Sequence, residues 1–162
     1  MNIKDIIAQL DLQPLIEGGY YKQTYQSPLE ITIAANTTRA INSAIYYLLE
    51  SHDFSCWHRL KSDEIWHYYC GSELMLYQIH ATGTLTQTLL GNPLNHSHAI
   101  PQYIVPADTW FAAEVMLPDT FTLTGTTVTP GFVFDDFEMG KYAELVTLFP
   151  QHQEILRRLT RL

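Results

Sequence analysis

The sequence predicts an all-β fold, a sandwich or closed barrel, with short helices confined to its two ends. Two observations carry this. Runs rich in β-branched and aromatic residues follow one another through the middle of the chain, each cut from the next by Gly, Pro, Asn, Asp or Ser. Apolar residues at helical spacing, by contrast, occur only near the termini. Ten tyrosines, seven phenylalanines and three tryptophans add an aromatic load that suits a pleated, half-buried surface or an aromatic-lined cavity.

In chain order, Ile3, Ile6, Ile7 and Leu10 recur along one face of a short helix. Strands are then expected at 20–27, 41–49, 64–69, 73–80, 84–90, 102–105, 110–115 and 121–128. Gly71-Ser72, Thr82-Gly83, Gly91-Asn92-Pro93 and Pro118-Asp119 separate them, and the tight turn between 80 and 84 marks a hairpin. Ala143, Leu145, Val146 and Leu148 predict a helix that stops before Pro150. Pro150 suits a first helical position, and Ile155, Leu156, Leu159 and Leu162 give a second apolar face behind it. Many short strands so spaced close into a sandwich or barrel.

A chain of 162 residues has the length of one domain, spanning 1–162, with a core of its own. Its 46% apolar content against 16% charged excludes a disordered chain. The net charge is −8 and no basic cluster stands anywhere along it, which excludes a nucleic-acid surface. Cys56 and Cys70 form no CxxC pair, so reduced thiols in a cytoplasmic protein are expected. Asp5 interrupts the apolar run at the start, and no stretch approaches the ~18 apolar residues of a spanning helix. No membrane is expected as a partner.

The stretch FSCWHRLKSDEIWHYYCG at 54–71 carries the chemistry. His58 and Glu64 flank the polar turn Lys61-Ser62-Asp63. With 57–60 ending one strand and 64–69 starting the next, both side chains reach one side of a sheet. An imidazole facing a carboxylate serves in a metal site, or as a base whose tautomer the carboxylate fixes. On alternation, Trp66 and Tyr68 share the face of Glu64, while Ile65, His67 and Tyr69 point away. Trp66 and Tyr68, with Phe111, Tyr46 and Phe132, would wall a largely apolar pocket for a flat small molecule. Filling the core is the plainer use of such rings.

The same segment resembles the first cupin motif, G(X)5HXH(X)3–4E(X)6G. His58, Glu64 and Gly71 match it, Leu60 stands where the second histidine belongs, and Asp53 where the opening glycine does. The second motif, G(X)5PXG(X)2H(X)3N, is echoed at Pro106-Ala107-Asp108-Thr109-Trp110-Phe111. There Asp108 replaces the glycine, Phe111 the ligand histidine and Val115 the asparagine. LIEGGYYKQTYQS, SAIYYLLE, DFSCWHRLKSDEIWHYYCG, PQYIVPADTWFAA and TPGFVFDDFEM together resemble, in order and spacing, a single-domain cupin subfamily of unknown function, the Cupin 5 type. Leu15-Ile16, Gln23 and Phe111 depart from that subfamily's usual His-Pro, glutamate and glutamine. The resemblance implies a cupin-type double-stranded β-helix, a jelly-roll barrel, related in fold to the dTDP-sugar epimerases. It also implies a homodimer, and places Glu17, ahead of Gly18-Gly19, at the pocket rim as a ligand candidate.

Of the four usual cupin ligands only His58 and Glu64 remain, where catalytic zinc or iron takes three protein ligands. No cofactor is expected, and a divalent ion would be held only weakly, by those two residues. The resemblance then implies a metal-independent enzyme of the sugar epimerase or isomerase type acting on an unidentified small molecule. His58 would remove a proton beside a carbonyl, Glu64 would orient it, and Tyr68 would return the proton. Lys22, Arg59 and Lys61 are the cations closest to hand for an anionic substrate. Two other functions stay open: a non-catalytic binding protein for a small aromatic metabolite, and a metal-dependent, dioxygenase-like cupin. A buried pair that only satisfies itself is the reading without function. Asn95-His96-Ser97-His98 reads as an exposed loop, and Asp135-Asp136 with Glu138 as turn and cap residues.

Overall fold

Asp5, which interrupts the first apolar run, is half of a helix capping box whose N-cap is Asn2. In helix α1 (Ile3–Gln9) the Asp5 N–H donates to the Asn2 side chain and the Asn2 N–H donates to the Asp5 carboxylate, both at 2.9 Å. That reciprocal pair satisfies two donors a helix start leaves open. The computed structural model describes residues 2–161, so Leu162, the last position of the expected C-terminal apolar face, lies outside the described residues.

Among the described residues thirteen strands follow. They are β1 (Gln13–Pro14), β2 (Tyr20–Gln26), β3 (Glu30–Ala34), β4 (Thr37–Ala40), β5 (Ser43–Glu50), β6 (Phe54–Leu60), β7 (Asp63–Gly71), β8 (Leu74–Ile79), β9 (Leu85–Leu90), β10 (Gln102–Val105), β11 (Trp110–Val115), β12 (Phe121–Thr129) and β13 (Phe137–Met139). A six-stranded sheet runs β1-β2-β5-β12-β7-β10 and a five-stranded sheet β13-β6-β11-β8-β9, while β3 and β4 pair only with each other. The ladders joining these strands are antiparallel. The two large sheets pack as the sandwich of a cupin jelly roll, with the short helices α2 (Tyr142–Leu148) and α3 (Gln153–Arg158) near the end of the chain. Pro150 opens a 3-10 turn ahead of α3, at the start position its sequence context suggests.

Two apolar clusters hold these layers. Between the sheets, Tyr47, Leu49 and Trp66 from one meet Leu74, Leu76, Phe111, Ala113 and Val115 from the other. On the far side of the five-stranded sheet, Trp57, Tyr77, Trp110 and Ala112 meet Leu145, Leu156 and Leu159 of the C-terminal segment. Strand β11 therefore serves both layers by alternation, Phe111 and Ala113 inward, Trp110 and Ala112 toward the helices. A sheet covered on both faces reads as a nearly continuous apolar run, as WFAAEV does.

The bounds of β10 and β11 are those the sequence predicts, and the other expected strands shift by one to three residues at their ends. Four strands lie outside the expectation. β1 and β13 are too short to show a period. β3 and β4 form an exposed hairpin around Asn36, which sits at φ 62°. Gly71, the glycine that closes the first motif, has a steric reason: φ is 101°, and a Cβ there would lie 2.2 Å from the Phe121 carbonyl oxygen.

Candidate functional site

Strand β6 turns His58 into a cavity between the two sheets. The ring is 2% exposed, and its Nδ1 donates to the Cys56 carbonyl at 2.7 Å. A carbonyl only accepts, so the neutral imidazole carries its proton on Nδ1 and leaves the Nε2 lone pair free. Burial pushes the His58 pKa down to about 4, so the ring is neutral at pH 7. Its Nε2 stands 3.8 Å from Oε1 of Glu17.

Glu17 reaches this position because its loop is pinned. Its carbonyl accepts from the Cys56 N–H at 2.9 Å, the Gly18 carbonyl accepts from the Tyr47 hydroxyl at 2.9 Å, and the Gly19 N–H donates to Asp53 at 2.8 Å. A Cβ on Gly18, at φ 120°, would lie 2.0 Å from the Phe54 carbonyl oxygen, so the loop can pack there only with glycine. Asp53, where the motif has its opening glycine, both ties this loop and pairs with Arg161 at 2.5 Å. Burial first, then the neighbouring Glu64, pushes the Glu17 carboxyl up to about 8, against the pull of Arg161. Glu64, 7% exposed, is pushed up by burial to about 7, against the pull of Thr126 and Trp66; among the described residues its Oε2 and the Trp66 N–H, both closed off from solvent, make no hydrogen bond of normal geometry.

The cavity measures ≈ 110 Å³, enough for several waters or a small organic group. Its apolar wall includes Leu15, Tyr21, Ile45, Leu60, Val128, Phe132, Phe134 and Phe137, and its polar wall Glu17, Gln23, His58, Glu64 and Thr126. Phe137 stacks on His58 with centroids 5.4 Å apart and planes 30° apart. No lysine or arginine lines the cavity among the described residues.

The structure brings together four of the residues singled out in the sequence: His58, Glu64, Glu17 and Phe132. Phe111 packs on the His58 ring at 4.0 Å but supports it from the core, 1% exposed. Trp66 is core as well, edge-on to Tyr47 at 5.5 Å. Tyr68 does share the face of Glu64, but four residues along the strand put it ~13 Å away, where its hydroxyl donates to the Gly71 carbonyl at 2.6 Å. Tyr46 lies on the opposite face of β5, against Tyr69 at 6.1 Å. Glu64 does not orient His58, because the Cys56 carbonyl does. The expected anion-binding cations are engaged elsewhere: Lys22 with Asp11 at 2.5 Å, Arg59 with Glu138 at 2.7 Å, Lys61 with Asp108 at 2.7 Å. Tyr21, Gln23, Leu60, Phe134 and Phe137 went unrecognised as wall residues. Alternation in YYKQ and in GFVF carried the signal for three of them.

His96 and His98 are exposed, and Asp136 pairs with Arg39 at 2.7 Å, in keeping with loop and turn roles. The donors present do not fit the metal that a cupin fold suggests. Leu60 takes up cavity wall, Phe111 covers one side of His58, and among the described residues no three His, Cys, Asp or Glu side chains converge to hold an ion.

Residues 4–140 match the Cupin_5 family, described as Cupin superfamily (DUF985). Among solved structures, protein SO0799 from Shewanella oneidensis is 36% identical with a TM-score of 0.89, over 99% of this chain and 98% of that one. A hypothetical protein from Leishmania major is 28% identical with a TM-score of 0.91, over 100% of both chains. Oxalate decarboxylase from Bacillus subtilis shares the fold alone, at 11% identity and a TM-score of 0.58, over 92% of this chain and 37% of that one. No curated protein matches the chain.

Proposed function

This chain belongs to the Cupin_5 family (DUF985) of the cupin superfamily, and we propose that its cavity is a metal-independent site for proton transfer on a small, non-anionic molecule. The observation that carries this is the fixed tautomer of His58, whose free Nε2 stands beside the Glu17 carboxyl. A neutral base and a neutral acid side by side are the parts an isomerase-type step needs. Nε2 takes the proton from a substrate C–H beside a carbonyl, and the C–H electron pair becomes the enolate. Glu17 gives its own proton back to the enolate at the carbon that lost one, which exchanges or epimerises that centre. The imidazolium and carboxylate left 3.8 Å apart stabilise each other in a site of low dielectric, and proton return from His58 to Glu17 restores both. A sugar-nucleotide substrate finds no support, since no cation lines the cavity among the described residues.

Incubation with a panel of small ketones and aldehydes in heavy water, read by NMR, tests the step. Deuterium should enter beside the carbonyl with the parent protein and not with His58→Asn; equal exchange by both would remove His58 as the base. The second reading is a binding protein, favoured by the buried Glu64 carboxyl, which lines the cavity without a cation beside it among the described residues. It predicts a ligand that binds parent and His58→Asn alike and exchanges no deuterium.

The homodimer and the cytoplasmic setting belong to the same proposal. Leu29, Ile31 and Ile33 on and beside the β3–β4 hairpin are exposed, an apolar patch that a second copy would cover. Cys56 and Cys70 are free thiols, as in a reducing compartment. No helix among the described residues is long and apolar enough to cross a membrane.

A further inference from the structure

We infer that the ligand of this cavity is a small organic ammonium ion, anchored on the Glu64 carboxylate and faced by the rings of Phe132, Phe134 and Phe137. The inference rests on the reading above that this cavity is the binding site, and adds the chemical class of what enters it.

Three observations converge on it. Glu64 is 7% exposed, lines the cavity, and its Oε2 lacks any partner among the described residues. Buried carboxylate oxygens are ordinarily hydrogen-bonded; Oε2 is closed off from solvent, and Thr126 and the Trp66 N–H act on this carboxyl from the protein side, so it is Oε1 that is left for a donor the ligand brings. An ammonium N–H is a donor of the right kind and also supplies the opposing charge. The second observation is the wall. Phe132 meets Phe134 at 5.1 Å and 79°, and Phe137 at 6.4 Å and 70°. With Phe137 laid against His58, these rings make an aromatic wall, the kind of surface a cation is drawn to. The third is the charge balance. Glu17, Glu64, His58 and Tyr21 are the titratable groups lining the cavity, and none of them carries positive charge while His58 stays neutral. Arg161, the cation closest to Glu17 in effect, is committed to Asp53 and to the backbone carbonyls of Phe54 and Glu17. An anionic ligand would therefore meet two carboxyls and no counter-charge, whereas a cation completes the site.

The division of labour is then plain. Glu64 holds the ammonium group, and Glu17 and His58 remain the proton-transfer pair. The substrate class this defines is a small amine that also carries the carbonyl whose neighbouring C–H is exchanged.

Calorimetry on the full chain at pH 8, where Glu64 is ionised, tests the inference with two probes of one length, butylammonium and 1-butanol. Butylammonium should bind at least ~10-fold tighter, a difference within reach of one desolvated charge contact. Glu64→Gln should cut that preference severalfold without weakening 1-butanol, the remainder resting on Glu17, whose carboxyl is raised to about 8. Phe134→Ala, at a ring 61% exposed and so safe for folding, should weaken butylammonium severalfold. Equal affinity, a preference for 1-butanol, or no butylammonium binding below ~10 mM would each overturn the inference. If 1-butanol binds and butylammonium does not, the cavity stands as a binding site and the ammonium ion falls. If butylammonium binds as expected while no carbonyl compound exchanges deuterium, the ammonium site stands and proton transfer falls.

Discussion

Trp57 and His58 are neighbours on β6, and they belong to two regions built on opposite rules. Trp57 points at the C-terminal helices, is 0% exposed, and packs with Leu145, Leu156 and Leu159, its indole N–H reaching the Ile155 carbonyl at 3.3 Å. His58 points into the cavity, where two carboxyls share its burial and one carboxyl oxygen has no partner. The helix side maximises apolar contact. The cavity side accepts desolvated ionisable groups, which cost stability unless something enters to pair with them. The contrast teaches that on β6 the helix side carries stability while the cavity side is free to carry chemistry.

That contrast predicts unequal costs. Trp57→Ala should destabilise by about 3–5 kcal/mol, as large core truncations do, while His58→Asn should cost only about 1 kcal/mol, the worth of one hydrogen bond. Urea unfolding of both variants decides it, and equal losses would break the comparison.

The next effect is a pH dependence of stability. Glu64 is raised in the folded protein from 4.5 to about 7, so between those values the folded state holds a proton that the unfolded state has released. Stability from this group is complete below pH 4.5 and declines as pH rises toward 7, by about 3 kcal/mol over the interval. Glu17, raised from 4.5 to about 8, adds a decline of its own over pH 4.5–8. His58, lowered from 6.5 to about 4, acts in the opposite sense, adding stability as pH rises from 4 to 6.5. Glu64→Gln should therefore flatten the loss between pH 5 and 6.5, where the remaining Glu17 decline and the His58 gain offset each other. A variant whose profile follows the parent protein would show that Glu64 is ionised when folded.

The smallest effect belongs to the surface. Lys61 and Asp108, each 57% exposed at the side chain, form the kind of pair worth under about 1 kcal/mol. Lys61→Ala should leave both stability and deuterium exchange unchanged within error, and a loss of exchange would return Lys61 to the site.

How far the sequence could be read follows the same division. Strands β8, β9 and β11 of the helix-covered sheet were legible because turn residues bracket them, as Asp108-Thr109 does β11. The facing of His58 and Glu64 was legible because alternation assigns a face. Alternation does not assign depth, which is why Tyr68 fell on the right face and outside the site. In SAIYYLLE no polar residue breaks the run, so nothing told which way Tyr46 points. The approach of Glu17 to His58 is a contact between a loop and a strand far apart in sequence, created by the Asp53, Tyr47 and Cys56 hydrogen bonds. No local pattern encodes that. The Cys56 carbonyl, which sets the His58 tautomer, is backbone and leaves no trace in residue identity.

The central claim is that His58 is a neutral base with Nδ1 protonated and Nε2 free. Long-range proton–nitrogen NMR of the His58 side chain, followed from pH 8 to pH 4, tests it directly. The account predicts an Nδ1–H nitrogen, an Nε2 signal typical of an unprotonated ring nitrogen, and no titration until the pH nears 4. A proton on Nε2 at pH 7, or a midpoint near the ordinary 6.5, would contradict it.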